Sequence, residues 1–236
     1  MKKFAFAAIT LLYLSGCATS PHFNRAALEE ASAQPGHPKE YTRADSVKEI
    51  DALKPQAELP LRLYVPQPAN DNPWSQEEIE EIESWKPFLK QNGLVSELFV
   101  APESTRKHCY QYDNCQLEEQ RMEAARFQAD AWLAFDINSS EEEYANPLSI
   151  LNITLVGMWV VPAHHTSSDI RLEGSLVDVR NGYLYAFARA FGKASQTRPF
   201  MYSERYETRR LARLDALKNF GERLRQETSA SAAPAL

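Results

Sequence analysis

Leu176-Val-Asp-Val-Arg-Asn-Gly-Tyr-Leu-Tyr185 decides the fold class. Two apolar-alternating runs flank Arg180-Asn181-Gly182, and Asn-Gly between such runs predicts a β-hairpin closed by a type I′ turn. Its arms are expected over residues 169–179 and 183–192. Tyr183, Tyr185, Phe187 and Phe191 alternate with Leu184, Ala186, Ala188 and Ala190, so both faces of the second arm are covered. Upstream, residues 149–161 are the most hydrophobic run after the N-terminus. Asn152, Thr154 and Gly157 interrupt it, and it is too short to span a bilayer, so a buried strand rich in β-branched residues is expected.

Further strands are expected at 59–65, 94–101 and 132–138. Ser75 followed by Glu78 forms a capping box for a helix that Pro87 kinks and Gly93 ends. Its acidic run from Glu77 to Glu83 reads as a solvated face. A second helix covers 117–129, Glu141 to Glu143 mark an exposed loop, and Ser203 caps a last helix reaching about Gln226. There Leu211, Leu214, Leu217 and Leu224 line one side. Arg205, Arg209, Arg210 and Arg213 read as solvated, balanced by Glu204, Glu207 and Asp215. The expected order is β-α-β-α-β-β-β-β-α: a single α+β domain over residues 59–226, a mixed sheet with helices packed on it. A disordered tail is expected over 227–236.

The N-terminus carries the most specific localisation signal. Lys2 and Lys3, an apolar stretch and Leu14-Ser15-Gly16-Cys17 have the layout of a lipoprotein signal peptide, removed over residues 1–16. Cys17 is then the acylation site (a diacylglycerol thioether and an N-linked fatty acid such as palmitate), and membrane lipid is the first partner. Ala18 at the next position predicts sorting to the outer membrane, with the domain facing the periplasm. Residues 17–58, rich in Ala, Pro, Ser and Glu, are expected to form the lipidated N-terminus and a stalk, with a short helix where Val47, Ile50 and Leu53 recur at helical spacing.

Without Lys2 and Lys3 the chain has 24 basic against 32 acidic side chains, a net of −8. Such a balance argues against nucleic acid as a partner. Besides Cys17 there are Cys109 and Cys115, with five residues between them in the loop, and a local disulfide is the reading that suits an oxidising periplasm. A metal site from His108 and both thiols lacks a fourth ligand nearby.

The order of these motifs resembles a group of bacterial envelope lipoproteins. Leu59-Pro-Leu-Arg-Leu-Tyr-Val-Pro66, Ala129-Asp130-Ala-Trp-Leu-Ala-Phe-Asp136, Leu151-Asn-Ile-Thr-Leu-Val-Gly-Met-Trp-Val-Val-Pro162 and the hairpin are similar to segments of the rhombotarget lipoprotein family. The general plan resembles the N-terminal domain of the Tol-Pal translocation protein, the curli-secretion lipoprotein and penicillin-binding-protein activator lipoproteins. Residues 59–192 carry the likeness. The chain ends in Ser-Ala-Ala-Pro-Ala-Leu236, without the glycine-rich sorting segment of rhombotarget proteins, so their C-terminal processing is not carried over. The resemblance implies a non-catalytic role in cell-envelope assembly or protein interaction, with an envelope protein as partner.

No Gly-x-Ser-x-Gly, His-Glu-x-x-His or phosphate-cradling glycine loop occurs. No catalytic, cofactor or metal residues are assigned, and the chain is not expected to be an enzyme. His164 and His165, with Thr166, Ser167 and Asp169, are the one cluster that a ligand- or metal-binding hydrolytic module would use. Neighbours on an extended chain face opposite ways, so an exposed turn after Pro162 is expected instead. A homo-oligomeric secretion or channel subunit is the other alternative, prompted by the uncharged run at 149–161.

Overall fold

The structure is a computed structural model that describes residues 28, 44, 46–68, 71–105, 115–202 and 205–231. It is an α+β domain built on one five-stranded mixed sheet of order β2-β1-β3-β4-β5. Its strands are β1 (Leu61–Val65), β2 (Val95–Val100), β3 (Ala131–Ala145), β4 (His164–Asp178) and β5 (Leu184–Arg198). The helices are α1 (Val47–Asp51), α2 (Gln76–Glu83), α3 (Lys86–Gln91), α4 (Cys115–Arg126), α5 (Leu155–Val160) and α6 (Arg205–Ser231). β1 runs parallel to β2 and β3, whereas β3, β4 and β5 are antiparallel in continuous register.

Alternation assigns the two faces. Leu61, Leu63, Val65, Leu133, Leu172 and Leu176 point to the main core, where α2, α3 and α6 lie. Tyr64, Trp132 and Val179 point the other way, packing with Ala124 of α4 and with Ala129. Further along β3 and β4 that second face turns polar, with Glu173 bridging Arg171 and Arg189, and Asp169 bonded to Lys193. A half-covered, half-solvated antiparallel sheet has this pattern.

The class is as expected, but one strand is lost. Residues 149–161 are not a strand: a 3-10 helix (Pro147–Ile153) and α5 occupy them. Local capping outweighs β propensity here. Asn146 Oδ1 accepts the Leu148 N–H at 2.9 Å ahead of Pro147, and Thr154 Oγ1 accepts the Gly157 N–H at 2.9 Å. Glu141 to Glu143, expected in a loop, extend β3 instead. The kinked helix is two helices, since Ser84 and Trp85 turn between α2 and α3. The hairpin forms where expected with a wider loop: Gly182 has φ 77° while Asn181 keeps φ below zero, and Gly182 N–H bonds the Asp178 carbonyl. That geometry is not type I′.

Helix α6 runs on to Ser231 and crosses β5 at close range. A Cβ on Gly192 would lie 2.1 Å from the Ala212 carbonyl oxygen and 2.2 Å from the Ala216 nitrogen. The seam is therefore Ala212, Ala216, Leu217 and Phe220, with Leu211 and Leu214 only half-buried. The same helix caps the open edge of β5: Asn219 donates to the Phe191 carbonyl, Arg223 to the Arg189 carbonyl, and the Lys193 N–H donates to Asp215. Edge groups answered this way are withdrawn from strand pairing with another chain.

The segment expected to be stalk is partly packed on the domain. Leu28 and Ala57 are buried in the main core. The Gln56 and Ala57 N–H groups donate to Tyr185 Oη at 3.0 and 2.9 Å, and Tyr185 donates to Asp178 Oδ2 at 2.5 Å. Asn181 Nδ2 reaches the Lys54 carbonyl at 2.6 Å. Burial first, then the adjacent Asp178 carboxylate, hold the Tyr185 phenol well above its ordinary pKa of 10.0. Tyr185→Phe should lower the unfolding free energy by about 2–3 kcal/mol, measured by urea denaturation at pH 7, because buried partners lose their bonds. A raised folded-state pKa gives stability that is complete below pH 10 and lost above it. Wild type should therefore lose stability more steeply than Tyr185→Phe as pH rises past 10.

Candidate functional site

Residues 146–163 leave the sheet between β3 and β4 and return to it. Their ends are pinned together: the Asn146 N–H donates to the Ala163 carbonyl at 2.9 Å, and Asn146 Nδ2 to the Pro162 carbonyl at 3.0 Å. Inside, the Thr154 hydroxyl donates to the Leu151 carbonyl while it accepts from Gly157. The chain doubles back so tightly that a Cβ on Gly157 would lie 1.9 Å from the Leu151 oxygen. The excursion is thus a locally bonded knob at the end of two long strands.

Its surface is apolar and uncovered. Ile153, Leu155 and Val156 are 85%, 77% and 72% exposed, and Ile150 and Val160 are also mostly in solvent. Residues 145–163 carry no charged side chain. Beside the knob, Tyr144, Phe200, Met201 and Tyr206 add exposed apolar surface, and α5 packs against the 3-10 turn Phe200–Tyr202. A contiguous apolar surface on this scale marks a contact site, since scattered exposed hydrophobics need no explanation and clustered ones do.

The histidines sit at the base of this knob, in strand β4 and not in a turn. Their partners lie on opposite faces, as alternation requires. His164 Nε2 is 3.8 Å from Glu143 Oε1 and its ring meets Phe200 edge-on. His165 stacks on Tyr144 and lies 2.9 Å from Thr197 Oγ1. Thr166 is buried on the first face; Ser167 and Asp169 are on the second. The cluster read from sequence is therefore split. Among the described residues no group of three His, Cys, Asp or Glu is placed to hold a metal ion. Cys17 and Cys109 lie outside the described residues, as does the side chain of Cys115 at the start of α4.

Charge collects elsewhere, in a buried knot between α2 and α6. Arg213 is 2% exposed and forks onto Glu78, which is 0% exposed, with Nη2 to Oε2 at 2.6 Å and Nε on Oε1. Its remaining donors reach the Asn72 and Pro73 carbonyls, and Asp71 lies 3.4 Å away. Burial works against the Arg213 charge, and the bonds to Glu78 and the charge of Asp71 outweigh it, so its pKa stands above the arginine norm. Arg209 holds Asp71 at 3.1 Å, and Arg210 spans Glu77 and Glu207. Hydrogen bonds from Arg210 hold the Glu207 carboxyl below its ordinary range. Arg213 and Glu78, read from sequence as solvated, are instead the centre of a structural ion pair. Glu78 serves twice, since its Oε2 also accepts the Ser75 N–H at 2.7 Å.

Asp130 and Asp178 are also engaged in structure. Asp130 accepts the Arg62 N–H and pairs with Arg180; Asp178 accepts from Tyr185, Gln56 and Arg180. The proline-rich loop after β1 closes on itself through Gln67, which donates to the Ala101 carbonyl and accepts the Trp74 N–H. An apolar crevice of about 50 Å³ lies between the sheet and α6, lined by Leu63, Leu133, Leu176, Ala188 and Phe220. Its lining is almost wholly apolar. No helix among the described residues is long and apolar enough to cross a membrane.

The knob was missed because its composition mimics a buried strand. The signals that identify it are the cap residues Asn146 and Thr154, each placed ahead of an apolar turn, and Gly157 three residues after the second.

No family model and no curated protein matches the chain. Among solved structures it is similar to the PelC dodecamer from Paraburkholderia phytofirmans, at 14% identity and a TM-score of 0.28, over 67% of this chain and 86% of that one. A point variant of that dodecamer gives 14% identity and a TM-score of 0.30, over 70% and 85%. A hypothetical protein from Chlamydia trachomatis gives 11% and 0.24, over 72% and 94%. At TM-scores of this size, neither a family nor a function carries over to this chain.

Proposed function

We propose that the chain is a non-catalytic envelope lipoprotein, tethered by lipid at Cys17, whose α+β domain meets its partner through the apolar knob. The observation that carries the reading is the knob itself: an uncharged, exposed apolar surface held in shape by its own caps, at the end of the sheet. The groups that sequence alone would recruit for chemistry are divided between faces or engaged in structural bonds. Membrane attachment, sorting to the outer membrane and a periplasmic orientation belong to this proposal and rest on Leu14-Ser15-Gly16-Cys17 with Ala18.

Metabolic labelling tests the tether. Radiolabelled palmitate should enter the wild-type chain and be absent from Cys17→Ser. Equal label in both, or none in either, overturns the lipoprotein reading.

A subunit of a homo-oligomeric secretion assembly is the competing form of the same proposal. It places the knob at a boundary between copies, because α6 side chains already occupy the β5 edge along residues 189–193.

A further inference from the structure

We infer that the surface which covers the knob is the interface of a lipid bilayer, the same membrane that holds the chain by Cys17. The inference rests on the lipoprotein reading above and names the partner of its contact surface.

The knob and its surroundings expose both kinds of side chain that a bilayer interface takes up. The most exposed residues of the knob, Ile153, Leu155 and Val156, are aliphatic and lie at the end of the 3-10 helix and the start of α5. The aromatic residues Tyr144 and Phe200 stand where β3 and β5 end and Tyr206 where α6 begins, and Trp159 is half-exposed on α5, which packs against the Phe200–Tyr202 turn. Aliphatic side chains favour the acyl boundary, whereas tyrosine and tryptophan favour the headgroup level above it. Interfacial elements enter only about 5–10 Å into that boundary. The six residues of α5, rising about 9 Å in all, match that depth without spanning anything.

Backbone polarity is also dealt with. Asn146 and Thr154 bond the Leu148 and Gly157 amides and the Pro162 and Leu151 carbonyls within the knob. Segments entering lipid must answer their polar groups internally.

Charge and chain length identify the source of the lipid. Glu141, Glu142 and Glu143 stand at the base of the knob, Glu143 being paired with Arg205 and 3.8 Å from His164 Nε2, and the chain without its first sixteen residues is acidic. Arg198 and Arg205 also stand at that base, Arg205 paired with Glu143, while residues 145–163 carry no charge of their own. Contact is therefore by apolar burial, insensitive to salt and satisfied by zwitterionic lipid. Leu28 is packed in the main core. Only ten residues separate it from Cys17, and even fully extended they span about 37 Å. A lipid at Cys17 therefore holds the domain, at Leu28, within that distance of the membrane.

Tryptophan reports the contact selectively. Trp74, Trp85 and Trp132 are buried, leaving Trp159 as the exposed indole among the four. The lipidated protein is reconstituted into phosphatidylcholine vesicles with and without brominated acyl chains, which quench only indoles in contact with lipid. Bromolipid should quench wild type, and Trp159→Phe should lose most of that quenching. The double variant Ile153→Asp with Val156→Asp should also lose it while floating with the vesicles through Cys17. Vesicle-bound wild type without Trp159 quenching overturns the lipid contact and leaves the tether intact. Lipidated protein that does not float overturns the lipoprotein reading on which the inference stands. Disulfide-linked dimers from Ile153→Cys in the same vesicles, without quenching, assign the surface to a second copy and overturn it too.

Discussion

Arg213→Ala is expected to lower the unfolding free energy by about 3–5 kcal/mol, the range for breaking a buried pair by removing one partner. For a domain of this size that is a fall in Tm of roughly 10 °C or more. The loss is large because Glu78 and Asp71 are left without this partner in a site without solvent. Glu78 retains one donor, the Ser75 N–H, and Asp71 retains Arg209, while the Asn72 and Pro73 carbonyls lose theirs. Trp74 also loses the guanidinium over its ring. Arg213→Met combined with Glu78→Gln removes the orphaned charge together with its partner, so it should cost less than the sum of the two single changes. Urea denaturation of the four proteins measures the coupling. A loss below about 1 kcal/mol for Arg213→Ala would mean that the pair is open to water.

The sheet was legible where local rules and burial agree. The 176–185 hairpin, the apolar strands around Leu63 and Leu133 and the Ser75–Glu78 capping box all follow from short-range spacing, and all are present. What escaped the sequence needs partners from far along the chain. Arg213 belongs to a stripe that looks solvated until the seam of α6 moves off Leu211 and Leu214 onto Ala212 and Ala216, beside Gly192. That shift turns Arg213 toward Glu78, 135 residues away. Gln56 and Ala57 look like stalk because their bonds go to Tyr185, 129 and 128 residues distant.

The knob escaped for a different reason. Residues 149–161 are rich in β-branched and large apolar side chains, the composition of a buried strand, and composition alone does not say that an apolar run stays exposed. Two caps of one side chain each decide the geometry there. The alternation rule did hold for His164 and His165, which diverge as neighbours on a strand must, though in a strand and not the expected turn. A surface that a bilayer or a partner completes is left without its other half when a single chain is considered, so its residues look like a core in the wrong place.

That exposure gives the second large effect, and it is expected only in the cell. A cysteine at Ile153 projects from the most exposed apolar position of the knob, 85% open in the isolated chain. In detergent-solubilised protein it should react with a membrane-impermeant maleimide as fast as a free thiol. In intact envelopes opened only enough to admit the reagent, its labelling should fall by an order of magnitude or more, since burial of an apolar side chain worth about 1.5–3 kcal/mol favours the covered state by at least tenfold. The parent chain supplies the background for the native cysteines, and a cysteine at Asp169, on the solvated face of β4, serves as an open reference in both preparations. Position 153 protected in envelopes while position 169 labels freely is the predicted result. Equal labelling of position 153 in envelopes and in detergent would contradict the assignment of the knob as the working surface of this protein.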